Sequence, residues 1–137
     1  MGRRRKMTMI SRPLEVVWGE LSKAGQPPKE LRFVAEAALE RNARSATVLD
    51  LRGISDVTSF FVIATGDSDT HSRAISENIL DRMRGAGYRP VGVEGLNQAR
   101  WVLMDFVELI VHVFLNEVRE FYQLERLWGD ARIFKLE

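Results

Sequence analysis

The stretch Phe60-Phe61-Val62-Ile63-Ala64-Thr65, closed by Gly66, constrains the fold more than any other part of the chain. Its residues are aromatic or β-branched except for one alanine, which favours a strand. Its apolarity is unbroken rather than alternating, and this pattern suits a central strand covered on both faces. Such a strand needs helices packed on its sheet. With 137 residues, one domain of this kind can bury a real hydrophobic core.

The flanking sequence supplies the partners. Residues 29–44 have helical spacing, with Leu31, Val34, Ala35 and Ala38 near one face. "ATVLDL" at 46–51 predicts a strand. A helix is predicted over 70–85, where Ile75, Ile79 and Met83 form a stripe and Gly85 and Gly87 supply the stop. A short strand follows Pro90 through Val91 and Val93, then strands at 100–105 and 109–115. Asn116 can cap a final helical segment, and "LERLWGD" adds a turn stopped at Gly129. The order α-β-β-α-β-β-β-α predicts an α/β fold: a mixed five-stranded sheet with flanking helices, a crossover after the second strand and a closing hairpin.

Residues 1–28 read as a separate basic extension and linker, and 29–137 as the folded domain. Arg3, Arg4, Arg5, Lys6 and Arg12 come with no acid among the first twelve residues. Leu14, Val17, Trp18 and Leu21 form the stripe of a short helix, and Gly25 with Pro27-Pro28 then breaks the chain. The basic run fits a solvated tail, an RNA-contacting arm or an organelle-targeting segment; without a long apolar stretch it does not fit a secretory signal. From Lys29 onward there are 14 Lys and Arg against 17 Asp and Glu, a net of −3. A mildly acidic domain suits a basic protein partner better than a phosphate backbone, and no direct DNA contact is expected. The longest apolar run, Leu109–Leu115, is interrupted by His112 and too short to span a bilayer, so no membrane partner is expected. The absence of cysteine removes disulfides, thiolate catalysis and thiolate metal sites.

"GDSD" at 66–69 is the strongest enzymatic signal. Asp67 and Asp69 after a strand end have the spacing by which carboxylates hold divalent metal in nucleotidyl transfer, and Asp105 could supply a third. The plainer explanation is a helix start, where Ser and Asp cap and complement the dipole. His71 sits at that helix start, and His112 lies within a strand between Val111 and Val113. Neither completes a Ser-His-Asp arrangement, and "GVEG" at 92–95 lacks the spacing of a phosphate loop. No catalytic residue, metal or cofactor is expected. In the strand 100–105, alternation puts Trp101, Leu103 and Asp105 on one face and Val102 and Met104 on the other. Tryptophan is enriched at binding hot spots, but the pattern leaves Trp101 open between core and interface.

"VLDLRGISDVTSFFVIATG", "AGYRPVGVEGLNQARWVLMDF", "IVHVF" and "REFYQLERLWGDA" together resemble the ribosomal silencing factor family, RsfS, also called Iojap or YbeB. The resemblance runs from about Lys29 to Ala131. It implies a fold related to nucleotidyltransferases without their chemistry. It also implies a non-enzymatic translational repressor that binds the large ribosomal subunit through its universal protein fourteen and blocks joining of the small subunit. A homodimer of the free protein is a further expectation. The implied setting is the bacterial cytoplasm, the alternative being a mitochondrion or plastid, where relatives act in large-subunit assembly. Trp101 matches a ribosome-facing tryptophan of the family, and Val102, Leu103, Asp105, Glu94 and Gly95 are its candidate partners. The chain departs from the usual pattern at Ser59, at Gly66–His71 and at Val107, which replaces a turn glycine. The alternative remains a metal-dependent nucleotidyltransferase-like enzyme using Asp67 and Asp69.

Overall fold

The computed structural model describes residues 10–116 and 129–137. The elements in chain order are α1 (Leu14–Ser22), α2 (Lys29–Glu40), β1 (Ser45–Asp50), β2 (Phe60–Gly66), α3 (Asp69–Gly85), β3 (Gly92–Glu94), β4 (Trp101–Asp105), β5 (Leu109–Leu115) and β6 (Arg132–Leu136). The strands form one sheet in the order β3-β4-β5-β2-β1-β6. β2 and β5 pair in parallel, and the remaining neighbours are antiparallel. The sheet is mixed, as expected, but has six strands instead of five. The helical segment expected after Asn116 falls on residues 117–128, outside the described residues.

β2 occupies the interior of the sheet, with all seven of its residues buried. One sheet face, carrying Val48, Phe60, Val62, Val102, Met104, Val111 and Val113, packs against the helices. The predicted α3 stripe supplies Ile75, Ile79 and Met83 to this core, each fully buried. Gly66 brings α3 close to β2: a Cβ there would lie 2.7 Å from the backbone nitrogen of Ser72. α2 stops at Glu40, four residues earlier than its spacing predicts. Asn42 adopts φ 57, and Ala43 N–H donates back to the Ala38 carbonyl at 3.2 Å, closing a left-handed C-terminal cap. Glu40 then pairs with Arg82, and the Asn78 side chain donates to the Ala37 carbonyl at 2.9 Å, joining α2 to α3.

The boundary expected at residue 28 is not a break in packing. Val17 and Leu21 of α1 are buried in the main core. Arg52 reaches across to α1, donating to the carbonyls of Leu21 at 2.8 Å and Gly25 at 2.7 Å. Its guanidinium also lies over the Phe60 ring and grips Asp50 through two nitrogens at 2.9 Å. Burial alone pushes the Asp50 carboxyl up, but the bonds from Arg52 and Arg132 outweigh it and hold the group below its ordinary range. Further upstream, Arg12 N–H donates to the Lys135 carbonyl and the Arg12 carbonyl accepts from Glu137 N–H, both at 3.0 Å, so the chain before α1 lies along β6.

Candidate functional site

Two places carry the candidate chemistry: the turn from β2 into α3, and the β4–β5 hairpin with the loop before it. At the first, Ser68 is the N-cap of α3 and its hydroxyl accepts from His71 N–H at 3.1 Å. His71 uses both ring nitrogens locally. Nδ1 accepts from Asp67 N–H at 2.9 Å, and Nε2 donates to the Arg41 carbonyl at 2.7 Å. The Asp67 carboxylate is held by Arg44 at 3.1 Å, and Asp69 stands exposed in the first turn of the helix. These are the contacts of a capped helix start.

The third carboxylate lies elsewhere. Gly66 is in register with Leu115 of β5, whereas Asp105 is in register with Ile110. Five residues of strand separate those positions, roughly 16 Å at about 3.3 Å per residue. Asp105 therefore sits at the opposite end of the sheet from Asp67 and Asp69, and the three cannot share a metal ion. Its carboxylate instead accepts from Val107 N–H at 2.8 Å and holds the β4–β5 turn. Among the described residues, no group of three or more His, Cys, Asp or Glu is placed to hold a metal.

β4 shows the alternation its sequence predicts. Val102 and Met104 are fully buried on the helix-packed face, so the Val102 side chain belongs to the core and cannot meet a partner. Trp101 remains 38% exposed, and Leu103 and Asp105 are half-buried on the same face. Glu94 of β3 is in register with Leu103 and is exposed, which adds a carboxylate beside this strip.

Gly95 shapes the ground next to Trp101. It takes φ 82, and a Cβ there would come within 2.1 Å of the Trp101 carbonyl oxygen. The loop can therefore fold tightly over the strand only with glycine at this position. Ala99 N–H closes the loop onto the Gly95 carbonyl at 2.9 Å, Ala99 itself is buried, and Arg73 of α3 donates to the Asn97 carbonyl at 2.6 Å. The result is an open groove of about 750 Å³ bounded by Val93, Gly95, Leu96, Arg100 and Trp101.

Behind the indole is a residue that sequence reading treats as ordinary core or strand edge. Trp101 Nε1 donates to His112 Nδ1 at 3.0 Å. The Trp101 ring lies 5.1 Å from Phe114, and His112 meets Phe61 edge-on at 4.7 Å. His112 is 3% exposed, and burial lowers its pKa to about 4. The signal in the sequence is a histidine in a run of apolar residues facing a tryptophan strand, and it becomes informative once the register is known.

Comparison with known proteins agrees with this architecture. The model of the family described as "Ribosomal silencing factor during starvation", RsfS, matches residues 24–137. The ribosomal silencing factor RsfS of Bacillus subtilis is 39% identical over 107 residues, covering 78% of this chain and 91% of that protein. The mouse protein named "Mitochondrial assembly of ribosomal large subunit protein 1" is 32% identical, covering 65% of this chain and 40% of that protein. A crystal structure from Bacillus halodurans superposes with a TM-score of 0.70 at 32% identity, covering 80% of this chain and 97% of that one. The names of these relatives describe regulation and assembly of ribosomes rather than an enzymatic reaction. The chain belongs to the ribosomal silencing factor family.

Proposed function

We propose that this protein binds the large ribosomal subunit through its universal protein fourteen and, held there, keeps the small subunit from joining, so repressing translation. The observation that supports this most is the position of Trp101. It stands 38% exposed on a strand whose alternate residues are fully buried, beside a groove, with the acidic groups Glu94 and Asp105 farther along the same sheet face. An exposed indole with an acidic rim suits an apolar anchor on a basic protein partner. Trp101, Leu103, Asp105 and Glu94 share this surface, and Gly95 sets its shape. The name of the mouse relative supports the large subunit as the partner. The bacterial relatives support the bacterial cytoplasm as the setting. The kinship with nucleotidyltransferases belongs to the same proposal, as a fold relation without the chemistry.

Co-sedimentation with isolated ribosomal subunits tests the reading. An indole at a desolvated contact contributes about 2 kcal/mol or more, roughly thirty-fold in affinity. Trp101→Ala is expected to weaken large-subunit binding at least about ten-fold and to restore subunit joining. Its stability should fall much less than the roughly 3–5 kcal/mol typical of losing a core aromatic. A folded Trp101→Ala protein that binds and blocks joining like wild type would overturn the proposal.

A further inference from the structure

We propose that His112 is a positioning residue, whose ring nitrogen fixes the Trp101 indole in the pose a partner meets. This rests on the reading of Trp101 as the anchor and extends it to a buried residue with no access to the partner.

The geometry is specific. Trp101 is in register with Phe114 and Leu103 with His112, so the indole and the imidazole are diagonal neighbours on one face of an antiparallel pair. Indole Nε1 is a donor and nothing else, so the 3.0 Å contact requires His112 Nδ1 to be its acceptor. That fixes the tautomer: the imidazole proton sits on Nε2. Nε2 is buried and has no hydrogen-bond partner among the described residues. Among the described residues the fold thus leaves one buried donor unsatisfied, a donor that leucine would remove, although leucine would also take the acceptor from Trp101 Nε1 and leave that N–H, on a half-exposed ring, to water. What the histidine provides in return is one acceptor aimed at the indole. Phe61 and Phe114 hold the imidazole plane, edge-on at 4.7 Å and stacked at 6.0 Å, so the acceptor itself has little freedom. The depressed basicity of the ring keeps the Nδ1 lone pair available at neutral pH.

The bond also decides what Trp101 can offer. Its N–H is committed inward, so a partner meets the carbocyclic part of the ring, and recognition there is apolar. Without the acceptor, a half-exposed indole is free to change rotamer, and the partner must order it on binding.

Two substitutions separate positioning from packing. In His112→Asn, the amide oxygen of the new side chain can stand near the place of the histidine acceptor, but that side chain is smaller and polar. The variant therefore keeps the bond while losing stability. His112→Leu fills the apolar site and has no acceptor, so it keeps or gains stability while losing the bond. Binding of both variants and of Trp101→Ala to isolated large subunits is measured beside thermal melts. The indole N–H resonance of Trp101, assigned with Trp101→Phe, reports the bond directly. The expected result is a crossing: His112→Leu melts at or above wild type but binds about five- to ten-fold more weakly, with its indole resonance moved. His112→Asn melts lower yet binds within about three-fold of wild type, with the resonance near its original position. Affinities that simply follow the melting temperatures would overturn the inference, as would wild-type binding by His112→Leu while Trp101→Ala binds weakly. Wild-type binding by Trp101→Ala is a different failure: the anchor reading falls, and this inference with it.

Discussion

One histidine lies in the first turn of α3 and the other in a strand of the sheet, and the two are treated oppositely. On the helix-packed side, His71 closes the start of α3 with both ring nitrogens engaged, one by Asp67 N–H and one by the Arg41 carbonyl. On the sheet face away from the helices, His112 is more deeply buried and, among the described residues, engages one nitrogen, on a tryptophan that is itself partly exposed. Buried polar groups in native proteins are normally paired, so a satisfied network needs no explanation beyond stability. A buried donor left over, next to an exposed indole, is stability given up at a place that touches solvent. The contrast separates a helix cap from the proposed binding site where residue type alone could not, since both contain a histidine and nearby carboxylates.

The largest effect should come from opening the helix-packed face. Deleting residues 1–28 removes Val17 and Leu21, both fully buried, and strips Arg52 of its carbonyl partners in and just after α1. At about 1.5–3 kcal/mol per buried aliphatic side chain, the loss is about 3–6 kcal/mol. This is a large share of the roughly 5–15 kcal/mol that holds a domain together. Urea titration of the truncated protein should show a midpoint far below wild type. A midpoint close to wild type would mean that α1 adds little to the core, and the contrast between the two faces would weaken.

The second effect concerns the other face and has a definite sign. Burial lowers the His112 pKa from 6.5 to about 4, so the unfolded chain takes up a proton that the folded protein refuses. Above pH 6.5 both states are neutral at this site and its contribution to stability is complete. As pH falls from 6.5 towards 4 the contribution is lost, the loss reaching about 3 kcal/mol once pH is below the folded value. Carboxylates titrate in part of this window too, so the measurement is a difference: wild type against His112→Leu, from pH 7.5 to about 4. Wild type should lose stability more steeply, and parallel curves would show that His112 is not buried as a neutral ring.

Sequence carried much of this fold because much of it is periodic. The unbroken run 60–65 becomes the interior strand β2, Ile75, Ile79 and Met83 become a buried stripe, and β4 alternates as read. What sequence did not carry depends on partners distant in the chain. β6 is a short edge strand with Arg132 and Lys135 among its five residues, and its register is set against β1, over eighty residues earlier; Arg132 bonds Asp50 at 2.8 Å. The Gly25-to-Pro28 segment has linker composition, yet Arg52, 27 residues after Gly25, ties it down. Trp101 and His112 are eleven residues apart and meet only through the strand register. The same register separates Asp105 from Asp67, which spacing alone had allowed to combine.

A smaller effect tests a strained point beside the proposed binding face. Val107 adopts φ 76 in the β4–β5 turn and is 57% exposed, a conformation that a β-branched residue rarely takes. Val107→Gly should relieve about 1 kcal/mol of strain and raise the melting temperature by a few degrees. Asp105 still caps the turn in that variant, so the hairpin register should hold. If the melting temperature falls, the valine side chain contributes packing that outweighs its backbone strain.

The smallest effect is expected at the β2–α3 turn, where the enzymatic alternative would require the largest. In the double variant Asp67→Asn with Asp69→Asn, the Arg44–Asp67 pair loses its charge, but both side chains are 59% exposed and such pairs contribute about 0–1 kcal/mol. Asp69 adds a favourable charge to the first turn of α3, a term of about 0.3–1 kcal/mol at low salt that screening reduces further. The true cap, Ser68, is untouched, and so are the bonds that His71 makes to backbone groups. The variant should therefore melt within a few degrees of wild type and bind large subunits within a few-fold. Neither protein should transfer nucleotides in the presence of magnesium. Turnover that depends on magnesium and vanishes in the double variant would make the β2–α3 turn the working site, and the proposed division between a capping histidine and a positioning one would have to be redrawn.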